Sequence, residues 1–186
     1  MSELPRRAVH ASTSVVPLAW LLGAPWAYIR GFLVLACVVV AAAEALRLAG
    51  TIDHWRVFSK LTREYEQENP AGYALGAVSM ALVALAFDPF VAVPAMFMLT
   101  LGDPFSGLLS SGDLGVKRSW VMLATFGFCL AIASLLRVPL YAAIAGAAAA
   151  AVADGVKPVV FTYVVDDNFS IPVASASAMW AIIHLL

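Results

Sequence analysis

Charge is scarce in this chain. Only 12% of its 186 residues are Asp, Glu, Lys or Arg, about half of the roughly 25% usual in soluble domains, which argues against a water-soluble globule. Cysteine is scarce too. Cys37 and Cys129 are the two present, each in an apolar run with no Cys or His neighbour, so neither a disulfide nor a thiolate metal pair is expected. The net charge of −1 points neither to a nucleic-acid partner nor to an acidic tail. There is no repeat of solenoid length, no low-complexity tail and no convincing linker, so residues 1–186 read as one domain. Arg6 and Arg7 precede an apolar stretch as in a signal peptide. That stretch is interrupted by Ser12, Thr13, Ser14 and Pro17 and lacks a small-residue cleavage pattern, and it reads as part of the mature fold.

What is abundant is apolar surface, at 62% of residues. Segments near the length that crosses a ~30 Å hydrocarbon core fall at residues 9–24, 31–49, 71–87, 90–110, 120–136, 139–157 and 171–186. The expected fold is therefore all-α, a polytopic membrane bundle of about seven transmembrane helices with a cytoplasmic N-terminus. The first segment, short and containing Pro17, reads as tilted or re-entrant. With that orientation the cytoplasmic side collects Arg6, Arg7, Arg47, Arg56, Lys60, Arg63, Lys117, Arg118 and Lys157, nine of the eleven basic residues. Arg30 and Arg137 stay on the other side, the asymmetry typical of cytoplasmic loops. The charged connection over 51–69 carries Trp55, Phe58, Thr62 and Tyr65 at helical spacing, which predicts a short helix lying in the interface. In the sixth segment Gly146, Ala150 and Asp154 recur every four residues. That face suits close packing, within the chain or in a homodimer, and it turns Asp154 inward.

Four stretches carry the chemistry. Leu101-Gly102-Asp103-Pro104-Phe105-Ser106-Gly107 puts a carboxylate into a hydrophobic segment, at a cost of roughly 3 kcal/mol on insertion scales, between residues that weaken a helix. A broken helix with an acid is how binding sites are often built at membrane depth. Val164-Val165-Asp166-Asp167-Asn168-Phe169-Ser170-Ile171-Pro172 lies at the entrance to the last span. Alone it reads as a helix cap. With Asp103 and Asp154 on the same side it becomes an all-oxygen set suited to magnesium held with phosphate oxygens. Ser110-Ser111-Gly112-Asp113-Leu114-Gly115-Val116-Lys117-Arg118 is a glycine-containing loop with two cations, able to meet phosphate charge without being a Walker A sequence. Arg6-Arg7-Ala8-Val9-His10 places a histidine one turn from Arg6. Glu44 with Arg47, and Arg63 with Glu66, are spaced to pair along a helix.

Taken in order, Arg6-Arg7-Ala8-Val9-His10, Glu44-Ala45-Leu46-Arg47, Arg63-Glu64-Tyr65-Glu66, Gly102-Asp103-Pro104-Phe105-Ser106-Gly107, Gly115-Val116-Lys117, Asp154 and Asp167-Asn168-Phe169-Ser170-Ile171-Pro172 resemble the dolichol kinase and phytol kinase family of CTP-dependent polyprenol kinases, in particular its short, archaeal-type members. The resemblance runs through nearly the whole chain. It departs where the family continues after Gly-x-Lys with a Lys-Ser/Thr-x-Glu-Gly segment, since here Arg118-Ser119-Trp120 leads straight into a span, and where Asp154 stands in a position often held by glutamate.

The resemblance implies phosphoryl transfer from CTP to the hydroxyl of a membrane isoprenoid or related lipid alcohol, giving a lipid phosphate and CDP at the cytoplasmic face of the cell membrane. It implies Mg2+ held by Asp103 and Asp167, with Asp154 as a further candidate ligand. Asn168 would orient the triphosphate, and Lys117, Arg6, Arg7 and His10 would meet its charge. Asp166 or Asp103 is the candidate to accept the hydroxyl proton, which makes Asp103, Asp166 and Asp167 the catalytic candidates. Dolichol, geranylgeraniol, phytol and a glycerol ether alcohol all fit as substrate. Two other readings compete: a CDP-lipid cytidylyltransferase with the same nucleotide and metal needs, and a small cation-coupled transporter built on the broken fourth segment.

Overall fold

A computed structural model of the chain describes residues 3–52, 62, 66–110, 116–156, 159–160, 163–164 and 166–185. Nine α-helices are described: α1 Glu3–Ser12, α2 Val15–Leu21, α3 Trp26–Leu48, α4 Gly72–Ala86, α5 Pro89–Phe97, α6 Asp103–Leu109, α7 Ser119–Leu135, α8 Leu140–Gly155 and α9 Asp167–Leu185. A π-helical turn, Met98–Gly102, joins α5 to α6. The small departure from an all-helical fold is a two-residue antiparallel pair, β1 Val159–Val160 with β2 Tyr163–Val164.

Trp26–Leu48, Pro89–Leu109 and Asp167–Leu185 are long and apolar enough to cross a membrane. The chain is accordingly a membrane protein. Helices α4, α7 and α8 are equally apolar but have 15 to 17 residues, about 22–26 Å at 1.5 Å per residue. The α5–α6 rod forms the centre, with 67% of its apolar window buried, whereas α3 at the rim has 17%. Helix α9 packs on α4, α5 and α8; α7 packs on α8, and α3 on α4.

Two expectations about helix continuity are corrected. Residues 9–24 do not form one helix, because the chain divides between α1 and α2 at Thr13 and Ser14. Ser12 and Thr13 turn their hydroxyls back onto the Val9 and His10 carbonyls, at 2.6 Å each, and Pro17 has no N–H to return to Thr13, so the regular ladder is lost there. The segment around Asp103, in turn, is not broken. Pro104 cannot donate to the turn before it, and the rod widens into the π-turn and continues. Gly102 makes this compact: a β-carbon there would stand 3.1 Å from the Cys129 sulfur on α7.

Successive rods alternate in direction, which gathers the polar residues at one end. The C-terminal turn of α3, the start of α4, α6, the start of α7, the end of α8 and the start of α9 all meet there. Links across the bundle fix this: the Lys117 N–H donates to the Gly155 carbonyl at 3.0 Å, and the Ser79 hydroxyl to the Asn168 carbonyl at 2.7 Å. That second bond has a local cause. Pro172 cannot donate to Asn168 four residues earlier, and Ser79 supplies the missing donor. At the opposite end Arg30 lies 5.8 Å from the Trp26 ring centroid and donates to the Ala84 carbonyl at 2.8 Å, closing the last turn of α4.

The small face of α8 is occupied inside the chain. Gly146 faces Met179 of α9 so closely that a β-carbon would fall 2.4 Å from the methionine Cγ. Trp55, Phe58 and Tyr65 of the expected interfacial helix lie outside the described residues, as do Arg56, Lys60, Arg63, Lys157 and residues 111–115 of the glycine-containing loop.

Candidate metal centre

Three carboxylates from three helices converge at the polar end. Asp103 opens α6, Asp154 sits in the last turn of α8, and Asp167 opens α9. One oxygen from each lies within 4.8 Å of the others. Asp154 and Asp167 are buried and Asp103 is half-buried. Two unit charges at that separation repel by roughly 3.5 kcal/mol even at an effective dielectric constant of 20, so the group calls for positive charge among its neighbours.

Lys117 supplies one such charge. Its Nζ donates to Asp154 Oδ1 at 2.6 Å and to Ser106 Oγ at 2.9 Å, while Ser106 donates to Asp154 Oδ2 at 2.5 Å. Ser106, one turn after Asp103 in α6, is fully buried. It ties the carboxylate of α8 to the helix that carries Asp103. Helix α1 covers the group from the N-terminal side. His10 Nε2 stands 3.2 Å from the Leu99 carbonyl of the π-turn and 3.9 Å from Asp103 Oδ2. The Arg7 guanidinium lies over Gly107, where a β-carbon would be 3.0 Å from its Nε. The side chain of Arg6 is outside the described residues.

The adjacent acids of the last segment separate. Asp167 joins the three-carboxylate group, whereas Asp166 caps α9: its Oδ1 accepts from the Asn168 N–H at 2.9 Å and from Asn168 Nδ2 at 2.6 Å. This is an ordinary use of aspartate at a helix start. Asn168 is thus turned toward Asp166, and both press on Gly72, where a β-carbon would come within 2.7 Å of Asn168 Nδ2. The cap reading of this segment thus holds for Asp166, while its neighbour Asp167 lies among the three clustered acids.

Behind Gly72 lies a second polar group. Arg47 grips Glu44 through two bonds of 2.8 and 2.9 Å, and donates to the carbonyls of Glu66, Gln67 and Asn69. Glu44 also accepts from the Ala71 N–H at 2.7 Å and from the Tyr73 hydroxyl. The expected pairing of Glu44 with Arg47 is present, and it clamps residues 66–73 to α3. Glu66 is buried as well, with Oε1 accepting from the Gly72 N–H at 3.2 Å. Ser106, Ser79, Tyr73 and Gly72 are the contributors that sequence reasoning did not single out for a role. Ser106 alone had a readable signal, standing three residues after Asp103 in a helical segment.

The donor set suits a hard divalent cation, being carboxylate oxygens without nitrogen or sulfur. Asp103, Asp154 and Asp167 are the residues that could hold such an ion, one oxygen from each lying within 4.8 Å of the others. Comparison of the chain with protein-family models, with curated proteins and with solved structures found no match.

Proposed function

We propose that the protein is a membrane-embedded phosphotransferase that moves a phosphoryl group from a nucleoside triphosphate, CTP in the first instance, to the hydroxyl of an isoprenoid or related lipid alcohol. The observation that carries this reading is the convergence of Asp103, Asp154 and Asp167 at the cationic end of an apolar bundle. Phosphoryl transfer asks for positioned charge more than for covalent chemistry. This end offers acids to hold a magnesium ion and Lys117 and Arg7 to meet phosphate oxygens. The ion, when bound, would neutralise charge developing on the transferring group.

The fold supports seven crossings with the N-terminus at the active end. His10 touches the Asp103 end, whereas Trp26 begins α3 at the opposite end, so α1 and α2 together carry the chain across as a first, interrupted pass. Arg7, Arg47 and Lys117 lie at the acid end and Arg30 and Arg137 at the other. By the distribution of positive charge in membrane proteins the acid end faces the cytoplasm, where nucleotide is available. A lipid hydroxyl reaches it from the cytoplasmic leaflet. Asp103, half-buried beside His10, is better placed to take up the hydroxyl proton than Asp166, whose carboxylate is committed to the α9 cap.

The transporter reading is built on a broken fourth helix, and the continuous α5–α6 rod gives it less support than the phosphotransferase reading. The test is a screen of purified protein with magnesium, CTP or ATP, and a panel of dolichol, geranylgeraniol, phytol and a glycerol ether alcohol. The expected product is a lipid phosphate that retains the γ-phosphate label and no cytidine, with turnover lost in Asp103→Asn and Asp167→Asn at unchanged folding. A product retaining cytidine, or normal turnover in both variants, overturns the proposal.

A further inference from the structure

Lys117 occupies the place on Asp154 that a bound cation would claim. Both oxygens of this fully buried carboxylate are engaged, Oδ1 by the ammonium at 2.6 Å and Oδ2 by Ser106 at 2.5 Å, and the ammonium holds Ser106 as well at 2.9 Å. One oxygen of Asp154 nevertheless lies within 4.8 Å of oxygens of Asp103 and Asp167. A divalent cation drawn to those three would meet the lysine charge at close range. Repulsion between an ammonium and a divalent ion a few ångströms apart then opposes occupation of both positions.

The lysine is mounted so that it can leave. Its backbone is anchored, the N–H donating to the Gly155 carbonyl at 3.0 Å, while residues 116–118 before α7 are irregular and the side chain keeps 11% exposure. Asp154, by contrast, has a side chain with no exposure and is fixed by Ser106. A flexible four-carbon stem on a held backbone is a movable point charge. What would draw it away is a second anion arriving from water at the same end.

We infer that Lys117 is the exchangeable counter-ion of Asp154: it neutralises the acid group in the ligand-free protein and passes Asp154 to a divalent cation when an oligophosphate takes up the ammonium. The inference rests on the metal reading of the three acids given above and adds the regulation of that site. Cation and oligophosphate then bind cooperatively, each weakly alone, with the coupling necessarily reciprocal.

The test uses Mn2+ and inorganic tripolyphosphate as probes in equilibrium dialysis against full-length protein in lipid nanodiscs, with protein-free chambers to correct for the manganese–polyphosphate complex. In the wild type, tripolyphosphate is expected to raise manganese affinity by roughly 5- to 150-fold, the ordinary range of coupling between sites. Lys117→Gln, freed of the competing charge, should bind manganese alone about tenfold more tightly, with coupling reduced to about twofold or less. Lys117→Arg keeps the charge and should bind manganese alone as the wild type does, which separates charge competition from a packing defect. Equal or weaker manganese binding by Lys117→Gln, at unchanged elution and melting, overturns the inference while leaving the three-acid site intact. Absence of manganese binding in every variant, with and without tripolyphosphate, overturns the site reading and the inference together.

Discussion

Replacing Arg47 with methionine isolates how much of the polar end depends on one buried cation. The guanidinium makes five hydrogen bonds, two to Glu44 at 2.8 and 2.9 Å and three to the carbonyls of residues 66, 67 and 69 at 2.8 to 3.1 Å. Both partners of the ion pair are 5% exposed. Methionine keeps most of the volume and removes every donor, leaving Glu44 a buried anion satisfied only by the Ala71 N–H and the Tyr73 hydroxyl. Breaking one partner of a buried pair costs about 3–5 kcal/mol. For a chain of this size that corresponds to a fall in melting temperature of roughly 6–20 °C. Removing both charges should recover part of the loss, since contacting residues in one network are coupled by about 0.5–3 kcal/mol. Glu44→Gln/Arg47→Met is therefore expected to melt above Arg47→Met. Melting of purified protein in one fixed detergent, with wild type and both single variants alongside, closes the cycle. A fall below about 2 °C for Arg47→Met, or a double variant less stable than Arg47→Met, would refute the clamp.

Three further outcomes are expected. Gly72→Ala places a methyl 2.7 Å from Asn168 Nδ2 and 3.4 Å from Asp166 Oδ1 and Glu66 Oε1; as overpacking it should cost about 1–3 kcal/mol, read as a lower melting temperature, and wild-type melting would contradict the contact. Gly107→Ala puts a methyl 3.0 Å from Arg7 Nε and should weaken tripolyphosphate binding roughly tenfold, about the worth of one hydrogen bond to a charged group, while manganese binding in its absence is unchanged; equal loss of both would show that Arg7 supports the acids and not the anion. In a cysteine-free background, Leu22→Cys at the end away from the acids and Glu68→Cys beside them, both exposed, should label differently in whole cells. An impermeant maleimide is expected to reach Leu22→Cys directly and Glu68→Cys only after permeabilisation, and the reverse pattern would invert the proposed orientation.

The sequence is most transparent where a period or a short spacing carries the signal. The apolar runs translate into helices α3 to α9 because each is long enough to declare itself by composition. Glu44 and Arg47 pair because three residues is one turn. The inward turn of Asp154 follows from Gly146 and Ala150 on the same face. Legibility fails where the outcome depends on partners distant in sequence. Nothing near Pro172 reveals that Ser79 will satisfy the Asn168 carbonyl, and nothing near Asp103 reveals that Ser106 will reach the carboxylate of residue 154. Pro104 read as a helix break, yet the π-turn absorbs the lost donor, a solution visible only once α1 and α7 press on the rod from both sides. Asp166 and Asp167 looked alike because they are neighbours, but Asp166 stands just outside α9 and turns back to cap it, whereas Asp167 is its first residue and joins the acid group.

That divergence also joins the two polar groups into one mechanical unit. Residues 66–72 are held to α3 by Arg47, Gly72 presses on Asn168 and Asp166, and Asp166 caps the helix whose first residue is Asp167. Loosening at α3 can therefore pass to the acid group through contacts of side chain on backbone, without any change in residues that touch a cation. The opposing face of the acid group has its own brace in Ser106 and Lys117, set by α6 and the start of α7. Ser106 bonds Asp154 directly and stands on the same helix as Asp103, whereas Asp167 opens the helix that Asp166 caps. If the three acids hold a divalent ion as proposed, a defect in the clamp should accordingly displace one of them and weaken the ion's binding without abolishing it. A defect at Ser106 reaches the other two together, and its effect on the same ion should be the larger.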